Sequence, residues 1–313
     1  MARRFTIILT FCVVVCAPAA EAGTRRHDVD DINFTNLAAD PRYQSVGRFF
    51  YSVGASSYIA SGVLISPEWV LTAAHVIEGN DFLGGGVSNM TFTLFSGMDS
   101  FVYTAMEWIP HPGWAVTSGD YLAGYDIGLV RLSSSVTGFQ PAAFYPNDSL
   151  DIQAGTIVGF GNTGTGLTGF QLGTLGTKRA GQNMIDAQGD GATISSGILF
   201  GDFDHPDDPS ESVIGASAPL ALEYLSAPGD SGGGLFITEG VNTYLLAITS
   251  FGWGYTDGNP DADYGDLAGF TATRPFEAWI ETTTAVPEPG TWAAAVLLVA
   301  AALILRRRRW KRA

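Results

Sequence analysis

Hydrophobic and polar positions along the body of the chain fall into short runs rather than long amphipathic stretches. Tyr58-Ile59-Ala60-Ser61-Gly62-Val63-Leu64-Ile65, Met90-Thr91-Phe92-Thr93-Leu94-Phe95, Ile127-Gly128-Leu129-Val130-Arg131-Leu132 and Tyr244-Leu245-Leu246-Ala247-Ile248-Thr249-Ser250 are examples. Each is rich in β-branched or aromatic residues and bounded by Gly, Pro, Asn or Asp, which predicts strands joined by turns. A helix is predicted only near the end, over Pro275 to Thr283. No repeat of roughly 20–50 residues is evident. Strand after strand from about Ser45 to Ile280 predicts an all-β barrel or sandwich. Residues 23–44 are polar and predict an arm lying on the body. Thr163 to Gly176 reads as a surface loop and Asp202 to Ser212 as an acidic loop.

The two ends follow different rules. Arg3 and Arg4 precede an apolar run, Phe5 to Val15, and then Ala20-Glu21-Ala22. That order is a secretory signal peptide, residues 1–22, cut after Ala22. At the other end Trp292 to Leu305 is an uncharged apolar run of 14 residues, followed by Arg306 to Arg309, Lys311 and Arg312. Snorkelling arginines extend such a run into a transmembrane helix, with the basic cluster on the cytoplasmic side and the body outside. Pro287-Glu288-Pro289, then a short apolar helix, then an arginine cluster resembles the PEP-CTERM sorting signal, over residues 286–313. The resemblance implies a bacterial envelope protein whose tail is recognised by an exosortase-type enzyme.

Composition narrows the chemistry. The 313 residues are 46% hydrophobic, ample for a large core, and 39 of them are Gly. The net charge is −15, and without the two basic ends eight cations face 29 acids. Such a surface excludes nucleic acid as a partner, because phosphates need basic residues. Both cysteines, Cys12 and Cys16, lie in the signal peptide. The exported body therefore has no disulfide, no Cys-ligated metal and no Cys nucleophile.

Three segments carry residues that can do chemistry: Leu71-Thr72-Ala73-Ala74-His75, Tyr125-Asp126-Ile127-Gly128-Leu129, and Pro228-Gly229-Asp230-Ser231-Gly232-Gly233. A serine hydroxyl needs a base to take its proton, and a histidine titrating near neutrality can take and return it. A buried aspartate fixes the imidazole tautomer. The glycines around Ser231 allow a sharp turn, and the N–H groups of Gly229 and Ser231 are the candidate oxyanion donors.

These segments are similar to the three signatures of the trypsin/chymotrypsin family, in the same His, Asp, Ser order. Gly159-Phe160-Gly161 and Ser250-Phe251-Gly252 resemble further family motifs, and the likeness runs from about residue 45 to 283. It implies two packed six-stranded antiparallel β-barrels with a site in the cleft between them, and a short C-terminal helix. It implies a secreted serine endopeptidase acting on protein or peptide substrates, with a monomeric body. His75, Asp126 and Ser231 would be catalytic. Leu225 would form the base of the primary pocket, Gly252 and Gly269 its walls, and Ser250, Phe251 and Gly252 the substrate-binding strand. An apolar base favours cleavage after large apolar or aromatic residues. An inactive protease-fold adhesin, or an esterase using the same triad, is the alternative.

The chain also departs from the family. No Ile-Val-Gly-Gly is present to supply the amine that meets the aspartate before the serine, here Asp230. A buried Asp230 still needs a partner: Arg25, Arg26, a new amino terminus cut beside them, or backbone N–H groups. Gly234 replaces a common proline, and Val76 stands where the family often has a cysteine. His111 is expected to pack or cap a loop, His205 to be solvated, and His27 to sit in the arm. No cofactor is implied. Asp202/Asp204/Asp207/Asp208 and Asp257/Asp261/Asp263/Asp266 are acidic loops that can offer ligands to Ca2+, although neither has the EF-hand pattern.

Overall fold

The computed structural model describes residues 23–78, 86–147 and 153–285. The signal peptide with Cys12 and Cys16, and the Pro-Glu-Pro tail with its apolar run, lie outside these residues. Among the described residues no helix is long and apolar enough to cross a membrane. The chain divides into two units, the second starting at Arg274.

The first unit opens with the arm, which has structure of its own: β1 (Gly23–Arg25), α1 (Asp31–Ala38) and a 3-10 turn, Pro41–Tyr43. Six strands follow: β2 (Val46–Val53), β3 (Ser56–Ser66), β4 (Trp69–Thr72), β5 (Val87–Ser96), β6 (Asp99–Pro110) and β7 (Gly128–Leu132). They close into a barrel in the order β2-β3-β4-β7-β6-β5. Alternation explains the closure. Phe49, Val63, Leu71, Phe92, Leu94 and Leu129 are fully buried, and the Phe49 and Phe92 rings meet at 5.0 Å. Two short helices interrupt the barrel sequence, α2 (Ala74–Glu78) after β4 and α3 (Pro112–Val116) after β6. The latter is capped by His111, whose ring accepts from Gly113 N–H, so the capping expected of His111 is realised.

The rest of the unit comprises β8 (Ala143–Phe144), β9 (Gln153–Gly159), β10 (Thr163–Thr165), β11 (Gly169–Gln171), β12 (Arg179–Ile185), β13 (Ala187–Gln188), β14 (Ile198–Asp202), β15 (Tyr224–Leu225), β16 (Gly234–Glu239), β17 (Asn242–Trp253) and β18 (Leu267–Ala272). An eight-stranded sheet runs β12-β9-β16-β17-β18-β14-β13, with β8 pairing alongside β17. This corrects the expectation of a second closed six-stranded barrel. The free edge of β12 is taken by the segment before β15: Gln182 N–H donates to Leu222 O at 2.6 Å, and Gln182 bridges Glu223. β12 therefore has no ladder to β14. The gap is spanned by one side chain, Asn183, whose amide donates to Asp202 O at 2.7 Å and to Tyr224 O at 3.0 Å. Nor is every pairing antiparallel, since β1–β10 and β8–β17 are parallel.

The arm is part of this half. β1 lies between β10 and β15 in a four-stranded sheet, order β11-β10-β1-β15, so the segment expected as a plain loop over 163–176 contains a hairpin. On α1, Phe34 and Ala38 are one turn apart and both buried, and Phe34 joins the core of the eight-stranded sheet. Asp31 on the same helix holds Arg179 of β12 with two bonds of 2.6 Å, and Arg179 is 1% exposed. The planar guanidinium suits this bidentate grip.

The second unit, in its described part, is a 3-10 turn, Arg274–Phe276, leading into α4 (Glu277–Thr284), where a helix is predicted. Arg274 pairs with Glu277 across that junction at 2.5 Å.

The Asp31 contact sets an expected outcome. Asp31→Ala leaves the Arg179 charge buried without its carboxylate, and should cost roughly 3–5 kcal/mol in chemical denaturation. Asp30→Ala removes a residue whose side chain makes no cap bond, and should stay within about 0.5 kcal/mol.

Candidate active site

The pairing of β4 with β7 brings the first two residues together. Thr72 stands opposite Gly128, so His75, three residues past Thr72, and Asp126, two before Gly128, leave the barrel at the same end. Asp126 is fully buried. Its Oδ1 accepts from the backbone N–H of His75 at 2.9 Å, and its Oδ2 from His75 Nδ1 at 2.8 Å. A carboxylate at Nδ1 fixes the proton there and leaves Nε2 with a free lone pair.

A third donor reaches Asp126 from the other half. Register along β17–β18 slips between Thr249 and Phe251, so Ser250 is the extra residue of a β-bulge. Bulges re-aim a side chain. Here the Ser250 hydroxyl donates to Asp126 Oδ2 at 2.5 Å.

Ser231 sits on a turn that only glycine tolerates on either side. Gly229 has φ of 103° and Gly232 of 77°. A Cβ on Gly232 would lie 2.0 Å from Thr72 Oγ1, so the turn presses directly on β4. Ser61 of β3 ties it down: its N–H donates to Ser231 O at 2.9 Å, and its hydroxyl to Gly229 O at 2.9 Å. That hydroxyl also accepts from Phe160 N–H at 3.0 Å. Among the described residues no partner takes the N–H of Gly229 or of Ser231.

Asp230 points the other way, into the protein, and is fully buried. It accepts from Gly161 N–H at 2.8 Å and from Ala227 N–H at 3.0 Å. A Cβ on Gly159 or Gly161 would come within 2.2 or 2.6 Å of its carboxylate, which explains two glycines around Phe160. Of the partners considered from sequence, backbone N–H groups are the ones present. Arg25 is engaged with Val29 O and Asp31, and Arg26 with Asp28 and Leu220 O. Beside Asp230, the Tyr224 hydroxyl is buried and finds no hydrogen-bond partner of ordinary geometry among the described residues. Burial, with the Asp230 charge adding, pushes that phenol well above its usual range. Gly23 abuts it: a Cβ there would lie 1.7 Å from Tyr224 Oη.

His75 and Ser231 line one cleft of about 660 Å³, together with Leu225, Ser250, Phe251 and Gly252. Gly269 is not on its wall; a Cβ there would strike the Phe251 ring, so it packs beneath that ring instead. Sequence reading missed Tyr121, Trp253 and Asp266, which also line the cleft. Tyr121 stands edge-on to His75 at 5.6 Å and touches Phe251 at 5.7 Å. Burial, then the Asp126 charge, pushes its phenol up to about 12. An aromatic in a polar loop gives no spacing signal, so nothing in the sequence marked it. His205 and His27 stay outside the cleft, packed on Tyr264 at ring distances of 4.3 and 5.8 Å, so His205 is more tightly packed than expected.

Comparison with known proteins agrees with this arrangement. The family model described as Trypsin matches residues 39–280, and the chain belongs to that family. Brachyurin of Leptuca pugilator is 28% identical over 73% of this chain and 89% of its own length. Chymotrypsin-like elastase family member 1 of Macaca fascicularis is 32% identical over 31% of this chain and 32% of its own length. Complement C1s subcomponent of Bos taurus is 36% identical over 40% of this chain and 17% of its own length. The chain thus spans a third or less of those last two. The structure of neuropsin, a serine protease expressed in the limbic system of mouse brain, shares the fold, with a TM-score of 0.54 and 22% identity, over 78% of this chain and 96% of its own.

Several buried acids set the pH dependence of stability. Burial pushes Asp230 up to about 6, Asp204 to about 6, Asp186 to about 7 and Glu223 to about 9, and neighbouring carboxylates add to the last three. Each folded value lies above the unfolded one, so the folded chain holds protons that the unfolded chain has lost. Lys178 acts the other way: burial pushes it down to about 7, so between about pH 9 and 7 it offsets Glu223. Stability should therefore rise chiefly as pH is lowered from about 7 toward about 4. Surface acids held down by hydrogen bonds, such as Asp28 and Asp40 with their arginines, reverse the trend only below about pH 4. Scanning calorimetry with chelator present tests this; a Tm that drops as pH is lowered from about 7 to about 5 would contradict it.

Proposed function

We propose that this trypsin-family chain is a serine-type endopeptidase, a hydrolase that cuts peptide bonds through an acyl-enzyme. His75, held by the buried Asp126 and lining the same cleft as Ser231, carries the reading. His75 Nε2 takes the Ser231 proton as Oγ attacks the scissile carbonyl carbon. The same imidazolium gives that proton to the leaving amine, and water then repeats the sequence to release the acid. Asp126, held by three donors, keeps its charge on the Nδ1 side and stabilises the imidazolium without taking the proton.

The tetrahedral oxyanion would sit against the N–H groups of Gly229 and Ser231, which have no other partner among the described residues. Such a donor contributes roughly 2.7–4 kcal/mol to lowering the barrier. Substrate would run along Ser250-Phe251-Gly252, with its side chain in a pocket lined by Leu225, Pro260, Ala262 and Leu267, with Asp266 on the same wall. The four apolar residues support cleavage after large apolar or aromatic residues. Export with cleavage after Ala22, sorting of the tail by an exosortase-type enzyme, and at least transient membrane anchoring through residues 292–305 complete the reading; they rest on the sequence of the two ends.

Signal-peptide cleavage also supplies an amine for the Asp230 region. A cut after Ala22 makes Gly23 the first residue, and Gly23 lies against the buried Tyr224 hydroxyl next to Asp230. An ammonium there would add a cation beside the buried Asp230 carboxylate. The family resemblance implies such an amine, and here it would arise without a separate activation cut.

Two expected outcomes follow. A fluorophosphonate should label the chain, and Ser231→Ala should abolish labelling and lower peptidase kcat by roughly 10⁴–10⁶. Labelling that persists in the variant removes Ser231 as the nucleophile. Chains beginning at Gly23 should cleave a peptide library at least tenfold faster than chains carrying one extra residue before it. Equal rates would refute the role of the Gly23 amine.

A further inference from the structure

Between β17 and β18 the chain makes a long excursion, residues 254–266, with four aspartates and no lysine or arginine. Asp261, Asp263 and Asp266 converge there: one carboxylate oxygen from each lies within 4.8 Å of the other two. Convergence of acids is common on surfaces, but here Asp261 and Asp263 are half-buried and the third acid is enclosed. Asp266 is 1% exposed. Its Oδ2 is held by the N–H of Ala262 at 2.9 Å, and its Oδ1 is buried with no hydrogen-bond partner. Asp261 and Asp263 each also carry a buried Oδ1 with no partner, while Asp261 Oδ2 is fixed by the Asn259 amide at 2.7 Å. The three carboxylates thus lie together, and each carries one oxygen without a hydrogen-bond partner. Leaving buried carboxylate oxygens unpaired is costly, and a cation is the partner that satisfies all three together.

We propose that Asp261, Asp263 and Asp266 bind a divalent cation, and that Ca2+ is the ion the site takes. The donors on offer are hard oxygens, with no nitrogen or sulfur, which selects against zinc and copper. Ca2+ accepts an irregular set of carboxylates completed by water, whereas Mg2+ demands a near-octahedral arrangement.

The site is coupled to the cleft through shared residues. Asp266, Ala262 and Pro260 line the cleft as well as the excursion, and Leu267 begins β18 on the same wall. A bound cation would fix Asp266 and, through the Ala262 N–H, the wall of the primary pocket. Calcium should therefore tighten substrate binding more than it alters the chemical step. This second part rests on the endopeptidase reading, but binding itself does not.

The test uses the full exported chain, stripped with a chelator and titrated with CaCl2 by calorimetry. One ion per chain is expected, with a dissociation constant on the order of 10⁻⁴–10⁻³ M or tighter, as in extracellular calcium modules, and a Tm that rises with calcium. Asp261→Asn and Asp263→Asn should each weaken binding at least tenfold, and circular dichroism should show both folded. Asp204→Asn, in the other acidic loop, should leave binding unchanged. Absence of calcium heat up to roughly 10 mM, or undiminished affinity in the Asp263→Asn chain, overturns the site. With peptide substrate, calcium should lower KM with little change in kcat; an unmoved KM in a chain that binds calcium overturns the coupling. Calcium binding without any peptide cleavage would count against the endopeptidase reading alone.

Discussion

The polar contacts that cross from the closed barrel to the open sheet are the constraint on which the site depends. Asp126 leaves the barrel beside β7 and accepts a hydroxyl from Ser250 of β17. Ser61 of β3 reaches the other way and holds the backbone of Ser231 and Gly229. Both crossings are buried or half-buried, where an unmade hydrogen bond costs more than a made one gains. The two halves therefore hold one relative placement, and any slip would strand several polar groups at once. The proposed roles of His75 as base and Ser231 as nucleophile need that kind of registration, because angstrom-scale misplacement weakens proton transfer steeply.

Acids recur inside this protein, and the three at the centre solve burial in different ways. Asp126 meets three donors. Asp230 meets two backbone N–H groups in a cradle kept open by glycines, beside the Tyr224 hydroxyl. Asp266 meets one. The fewer the donors, the more a buried carboxylate depends on a charge from elsewhere. With no disulfide to stiffen it, the body relies on such pairings, among them the Asp31 grip on the buried Arg179.

Much of this was legible in the sequence. The strand segments around Ser61, Phe92, Leu129 and Ala247 lie where alternation and turn residues put them, because burial on one face dictates a period of two. His75, Asp126 and Ser231 stand in short motifs, and Leu225 is placed by the family resemblance; His75, Ser231 and Leu225 line one cleft, and Asp126 holds His75. What escaped was set by distant partners. Nothing local says that Phe34 enters the core, that Asn183 bridges the open seam, or that residues 222–225 occupy the edge of β12. Tyr121 and Asp266 reach the cleft from loops whose course depends on what they pack against.

The position of β1 has a consequence for how the chain comes to be folded. Thr24 pairs with Leu225, and their hydrogen bond spans 201 positions of sequence. The first described strand therefore cannot find its place until most of the body has been made and its neighbours β10 and β15 have formed. Contacts of such span slow the final step of folding, because a long loop must close before it is rewarded. Until then Arg25 and Arg26 remain within reach of other proteases. A chain of this design suits delivery in an unfolded state followed by assembly at its destination, with the beginning of the polypeptide fitted last.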